Sequence, residues 1–426
     1  MTHIFSIVSR ILLSILALVF SLGAALFVSY SLAGFVNQWP VLLVAASLTL
    51  LLVSGSAIWL LSHNRWVTGL VAGGWLLATA VLLTLLFPAV QVIYRAPTPL
   101  PNMQFWNLPT GSRIAYTHVP AVGQAQPTPI IFLHGGPGWV ILPGDVAFYG
   151  QLAQDGFDIY LYDQIGSGRS GRLADLRQYN TNRHVADLEA IRQEIGAPQL
   201  ILIGQSWGNT LLADYMAAYP EHVAKAIFSS PGAIWDVGRF KADYAGTADI
   251  AGDGPGLPPL RVLASILLVT RNPNLAQQLV PEHDLISFFG TLPGKNQLSQ
   301  NYCLGDETKV PDIEILGANQ YVNRLTFASQ ESYPDPRPAL RQNQTPSLIM
   351  RGVCEFLPWE VAYEYKQTLP NATLLSIPNA GHALYGAQPD LILQVIEAFL
   401  LERPLPLPSY TASQSQPITG SALTGK

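Results

Sequence analysis

No Lys, Arg, Asp or Glu occurs between Arg10 and Arg65. Three apolar stretches fill this region and the residues that follow it: Ile11–Val36, Val41–Leu61 and Trp66–Ile93. Each exceeds the roughly 20 residues that a helix needs to cross a bilayer. Asn37-Gln38-Trp39-Pro40 and Ser62-His63-Asn64-Arg65 form the polar breaks between them. A cleavable signal peptide has an apolar core of only about 7–15 residues and no further spans behind it. Buried helices of a soluble core rarely run so long without charge. The expectation is a membrane anchor over 1–95 with three transmembrane helices at about 11–36, 41–61 and 66–93.

Charge then orders the rest. Three spans put Arg10 and Arg65 on one side of the membrane and Arg95 on the other, so the positive-inside rule favours a cytoplasmic N-terminus. Everything after Arg95 is then non-cytoplasmic. All 28 acidic residues lie from Asp145 onward, and the net charge is −5. No basic patch suggests nucleic acid as a partner. The only cysteines are Cys303 and Cys354. An oxidising compartment would permit a disulfide between them, and two free buried thiols are equally compatible with the sequence. No metal-ligand spacing and no internal repeat occurs, so neither metal nor cofactor is expected.

Beyond the anchor, "APTPLPNMQF" from Ala96 reads as a Pro-rich spacer. Strands are expected at Ile114–Pro120, Ile130–Leu133, Asp158–Tyr162, Leu200–Ile203 and Ala226–Ser229, and helices at Val185–Ile195 and Asn209–Tyr219. This alternation predicts an α/β class, a mostly parallel sheet with helices on both faces. From 233 to 344 the rhythm breaks, and Pro, Gly, Asn and Asp dominate. That stretch reads as an inserted cap with helical pieces near Leu260–Thr270 and Glu314–Phe327. Strands at "PSLIMRG" and "TLLSIPNAGH" and a helix at Pro389–Leu401 then close the core. The expected division is 1–95 anchor, 96–232 first part of the core, 233–344 cap, 345–403 second part of the core, and 404–426 disordered tail.

Two motifs carry chemistry. In "LILIGQSWGN", Gly204, Ser206 and Gly208 form G-x-S-x-G between an expected strand and an expected helix, the context of a nucleophile elbow. The sharp turn needs small residues two before and two after the serine. His382, in "NAGHALYG" after a strand, supplies a candidate base. Glu355, in "RGVCEFLPW", supplies a candidate carboxylate to orient that imidazole; Asp236 is the runner-up and Asp335 a third candidate. The order Ser, acid, His is the one this architecture uses. An attacking serine also needs preorganised N–H donors for the oxyanion. Trp207 would give one and Gly136 the other, within the "HGGPG" of His134, Gly135, Gly136, Pro137 and Gly138. Without these partners, each motif alone would be an ordinary Gly-rich turn.

Together "HGGPG", "YDQIGSGRS", "NTNRHVADLEAIRQEIG" and "GQSWGN" resemble the proline iminopeptidase family of α/β-hydrolase serine peptidases. The resemblance covers about 110–232 well and 345–400 loosely, and leaves out the apolar N-terminus. It implies an α/β-hydrolase fold, a helical cap over the site and release of N-terminal residues from peptides. Carried over by position, Ser206 matches the nucleophile, His382 the base and Glu355 the place of the usual Asp. Asp163 opens a loop beside the oxyanion segment and reads as a structural hydrogen-bonding residue. Gln205 replaces a glycine, Ile165 an arginine and Glu355 an aspartate, and each departure loosens the inference of a shared substrate. A carboxylate for a substrate ammonium would come from Glu282, Asp284, Asp306, Glu307, Asp312, Glu314 or Glu331.

The resulting expectation is a membrane-anchored serine hydrolase acting on a peptide, with the lipid bilayer as partner of residues 11–93. An esterase or amidase acting on small or lipid-derived substrates is the alternative within the class. A non-catalytic membrane receptor of hydrolase shape is the alternative outside it.

Overall fold

The computed structural model describes residues 2–62, 65–86, 97–235, 260–282, 284–285, 302–303 and 316–410. The chain divides into two units, Met1–Ile93 with Leu257–Pro281, and Tyr94–Gly256 with Glu282–Lys426. The region between the two halves of the core is therefore shared between units.

In the first unit, α1 (Thr2–Ala33), α2 (Trp39–Ser62) and α3 (Arg65–Leu86) coincide with the three apolar stretches. Two are long and apolar enough to cross a membrane, over Leu12–Ala33 and Trp39–Leu60. In α3 the strongly apolar stretch is the shorter Gly69–Val81, and residues 87–93 of the expected third span lie outside the described residues. The two long windows are only 11% and 22% buried, so they are not core helices of this unit. Phe20 and Phe27 stand 70% and 71% exposed. Hydroxyls on these helices turn back to the chain: Ser21 Oγ donates to the Ala17 carbonyl at 2.6 Å, Thr49 to Ala45 at 2.8 Å and Thr79 to Trp75 at 2.9 Å. A hydroxyl satisfied within its own helix needs no water. Two further helices, α7 (Leu260–Leu268) and α8 (Pro273–Leu279), belong to this unit.

The second unit is built on an eight-stranded sheet. Its strands are β1 (Met103–Asn107), β2 (Arg113–Val119), β3 (Ile130–Leu133), β4 (Ile159–Tyr162), β5 (Leu200–Ser206), β6 (Val223–Pro231), β7 (Ser347–Gly352) and β8 (Ala372–Ile377). The spatial order is β1-β2-β4-β3-β5-β6-β7-β8, antiparallel through β1, β2 and β4 and parallel beyond. Every residue of β3 and β7 is buried, as expected when helices cover both faces of a parallel sheet. The helices are α4 (Pro143–Tyr149), α5 (Thr181–Ile195), α6 (Trp207–Ala218), α9 (Gln320–Gln330), α10 (Arg337–Leu340), α11 (Trp359–Thr368), α12 (Leu384–Ala387) and α13 (Pro389–Leu400). Asn180 caps α5 by accepting from the Arg183 N–H at 3.0 Å, and Gly196 ends it at φ 73°.

Two expectations need correction. The Pro-rich spacer ends in strand β1, and its Leu100 is buried in the core. The tail expected to be disordered from 404 is ordered through 410: Leu405 and Leu407 pack on the core and the Tyr410 N–H donates to Leu374 at 2.8 Å. Residues 411–426 lie outside the described residues.

Candidate active site

Ser206 ends β5 and precedes α6, with φ 54° and ψ −123°. A side chain held at positive φ costs on the order of 1–3 kcal/mol and persists only where packing fixes it. Here the packing is visible at the flanking glycines. A Cβ on Gly208 would enter the backbone of Leu133 and His134, and one on Gly204 would meet Asn209. The Trp207 N–H is the first of α6, where helical N–H groups have no partner in their own helix.

The His134–Gly138 loop lies against this elbow. A Cβ on Gly135 would come within 2.8 Å of Ser206 Cβ and of Gln205 Oε1. Gly136 has φ 115°, a conformation that suits glycine. His134 is buried, its Nδ1 bonded to the Gly135 carbonyl at 2.9 Å and its Nε2 accepting from the Gln164 N–H at 3.0 Å. That arrangement needs a neutral ring, and burial holds the imidazole below its ordinary pKa. Asp163 accepts from the Ile141 N–H at 2.7 Å and the Arg169 N–H at 2.8 Å, and pairs with the Arg169 guanidinium at 3.0 Å.

Glu355 and His382 come together beyond the ends of β7 and β8. His382 Nδ1 lies 2.9 and 3.0 Å from the two Glu355 oxygens. Glu355 is 5% exposed. Burial pushes its carboxyl up, but the His382 charge and hydrogen bond, Arg351 and the Leu357 N–H outweigh this and hold it below the ordinary glutamate value. The two loops are tied by Val353 N–H to Ile377 at 3.0 Å and Cys354 N–H to Ala380 at 2.9 Å. A Cβ on Gly352 would strike the Ala380 and Gly381 carbonyls. No hydrogen bond joins Ser206 to His382; Ser206 ends β5 and His382 follows β8, and β5 to β8 run parallel, so both lie toward the carboxyl ends of these strands.

The other candidate acids separate from this group. Asp335 is forked by the Arg337 guanidinium at 2.8 and 2.7 Å, and Asp236 lies outside the described residues. Among the possible ammonium ligands, Glu282 is held by Arg172 at 2.6 Å, and Asp284 is buried. Asp306, Glu307, Asp312 and Glu314 lie outside the described residues. Among the described residues no group of three or more His, Cys, Asp or Glu converges as a metal site.

Several supporting residues have no local sequence signature of their role at the site. Asn319 caps α9 through the Tyr321 N–H at 2.9 Å, donates to the Gly166 carbonyl at 2.7 Å, and takes the Gly138 carbonyl on its own N–H at 2.8 Å. Asn323 Nδ2 reaches the Pro137 carbonyl at 3.0 Å. An Asn ahead of a helical pattern signals a cap, but nothing local signals docking on a glycine loop 180 residues away. Cys303 and Cys354 form a disulfide with Cα atoms 5.4 Å apart, so the insert is bonded to the residue before Glu355.

Residues 128–256 match the family model described as alpha/beta hydrolase fold. The chain is 40% identical over 124 residues to the proline iminopeptidase of Heyndrickxia coagulans, covering 29% of this chain and 41% of that one. It is 39% identical over 101 residues to the proline iminopeptidase of Neisseria gonorrhoeae, covering 24% and 32%. The chain thus spans less than half the length of these curated relatives. Among solved structures, the proline iminopeptidase of Mycobacterium smegmatis superposes with a TM-score of 0.47 at 18% identity, over 70% of this chain and 98% of that one. The strand order and the family match together show an α/β-hydrolase fold, with proline iminopeptidase relatives over part of the chain's length.

Proposed function

We propose that this chain is a membrane-anchored serine hydrolase of the aminopeptidase type, similar in action to proline iminopeptidase. The observation that carries it is the pairing of His382 with the buried Glu355 at the same sheet edge that presents Ser206 on its strained turn. His382 Nε2 takes the Ser206 proton as Oγ attacks the substrate carbonyl carbon. Glu355 holds the Nδ1–H and stabilises the imidazolium. The Gly136 and Trp207 N–H groups bind the oxyanion. His382 returns the proton to the leaving amine, and water then hydrolyses the acyl-enzyme by the same route reversed.

The anchor is α1 to α3, crossing the bilayer three times with the hydrolase unit on the non-cytoplasmic side. The exposed apolar faces, the self-satisfied hydroxyls and the Arg10 and Arg65 distribution support this. The Cys303–Cys354 disulfide fits an oxidising compartment. Protease added to spheroplasts is expected to digest the hydrolase unit; full protection reverses the topology.

The function is tested by fluorophosphonate labelling of wild type, Ser206→Ala, Glu355→Gln and His382→Ala. Labelling lost in the first and sharply reduced in the others supports the assignment. A folded wild type that takes no label favours the receptor alternative. Proline and alanine arylamides with free and acetylated amino groups then separate an aminopeptidase from an esterase, which would prefer short acyl esters and ignore the free amine.

A further inference from the structure

The helix pair α7–α8 comes from the sequence between β6 and β7, yet it packs in the unit of the apolar helices. It is fastened at the turn between α1 and α2. Asn272 Nδ2 donates to the Ala33 carbonyl at 2.7 Å, the Val36 carbonyl at 3.2 Å and Asn37 Oδ1 at 2.8 Å. Trp39 Nε1 donates to the Leu275 carbonyl at 3.1 Å, and Gln278 to the Asn37 carbonyl at 3.3 Å. Arg271 donates to the Ser31 carbonyl at 3.3 Å, with its guanidinium 5.8 Å from the Tyr30 ring and 6.0 Å from the Phe35 ring. A Cβ on Gly34 would strike that guanidinium, so the turn is shaped to receive it. Ala33, Leu42 and Leu275 form a small buried core beneath.

Helix α7 has two faces. Val262, Ser265 and Val269 lie inward at 2%, 1% and 3% exposure. Leu260, Leu263 and Leu267 lie outward at 47%, 40% and 70%, and their i, i+3, i+7 spacing aligns them in one stripe. The C-terminal end of α7 meets the turn where α1 ends and α2 begins, since Leu268 packs against Ala33, Leu42 and Leu275. Tyr30, Phe35, Trp39 and Arg271 gather around that turn, the composition of a membrane–water boundary. Between Leu260 and Pro281 there are Arg261 and Arg271 and no acidic residue, which complements anionic headgroups.

We propose that α7 is an interfacial helix: it lies in the leaflet into which α1 and α2 emerge, with Leu260, Leu263 and Leu267 among the acyl chains and the arginines at the headgroups. The inference rests on the membrane reading of α1 and α2. It makes the cap insertion itself a lipid-contacting part of the enzyme.

The test uses the full-length protein in vesicles of phosphatidylcholine and phosphatidylglycerol. Single cysteines replace Leu263, Leu267, Leu52 of α2 and Glu194 of the hydrolase unit, each labelled with an environment-sensitive fluorophore while the native cysteines stay disulfide-bonded. All four positions are on the protein surface, so folding is retained, and circular dichroism checks it. Labels at 263 and 267 are expected to match the label at 52: blue-shifted, shielded from iodide, and quenched by nitroxide lipids at least about threefold more than at 194. Iodide quenching at 263 and 267 with lipid quenching kept at 52 overturns the interfacial helix and leaves the anchor standing. Iodide quenching at 52 as well overturns both.

Discussion

Arg351 and Glu355 share one buried turn, in which the guanidinium donates to the carbonyls of Leu357 at 2.9 Å and Glu355 at 3.5 Å. Arg351 is 1% exposed, also donates to the Gly352 carbonyl at 3.1 Å, and lies 5.4 Å from the Trp359 ring. It therefore splints the loop that holds the carboxylate, and its charge is one of the influences that keep Glu355 ionised. Replacement by Met leaves three buried carbonyls without their donor and removes one of the charges beside the Glu355 carboxylate. The expected cost is about 3 kcal/mol in urea denaturation. A shifted carboxylate should also lower kcat about 10- to 100-fold. Arg351→Lys should recover part of both; an Arg351→Met enzyme with wild-type kcat would show that Arg351 does not position Glu355.

Glu355→Gln should keep the fold and lose turnover by a factor on the order of 10³–10⁴, because an amide neither fixes the Nδ1–H tautomer nor stabilises an imidazolium. Glu355→Asp should retain more activity than Gln, since the charge remains. The check is steady-state kinetics on whichever arylamide or ester the wild type hydrolyses. Equal activity of Gln and wild type would remove Glu355 from the mechanism.

His184 supplies a pH prediction. It is buried beside the Trp207 ring, and burial above all, with His134 and Arg183 as lesser influences, pushes its pKa down to about 3. A depressed histidine favours the folded state above its unfolded value of about 6.5, and that stability is lost as pH falls toward the folded value. Asp145 and Asp187, both pushed up to about 6 mainly by burial, act oppositely: stability associated with them is present at low pH and is lost as pH rises through about 6. Their opposition makes the wild-type curve alone uninformative. His184→Gln should lose up to about 2 kcal/mol less than wild type between pH 7 and pH 5. Parallel denaturation curves at the two pH values would mean His184 does not drive the acid sensitivity.

The disulfide joins residues 51 apart. Loop-closure entropy for that separation corresponds to about 4 kcal/mol. The Cys303→Ser, Cys354→Ser double variant should therefore unfold at clearly lower urea, and wild type treated with a phosphine reductant should behave alike. Equal midpoints in all three would mean that the covalent link adds nothing to stability.

The sequence alone determined those elements whose cause is local. Ile130–Leu133 is an apolar run closed by glycines, and it is β3 without a residue's difference. Gly204 and Gly208 flank Ser206 at the spacing a strand-to-helix turn needs, and the strand, turn and helix follow. The sequence offers Glu355 and His382 as candidates because both follow strands, while the 2.9 Å contact between them belongs to the fold. What only the tertiary structure decided has a partner far along the chain. β1 begins inside a Pro-rich stretch because β2 offers it a ladder. Residues 404–410 are ordered because the core accepts Leu405 and Leu407, and their composition carries no sign of that. Asn319 grips Gly138, Cys303 finds Cys354, and Asn272 seats on the Ala33–Asn37 turn. Periodicity and turn chemistry report on neighbours within a few residues. A side chain hydrogen-bonded across 200 residues leaves no trace in them until the chain has folded.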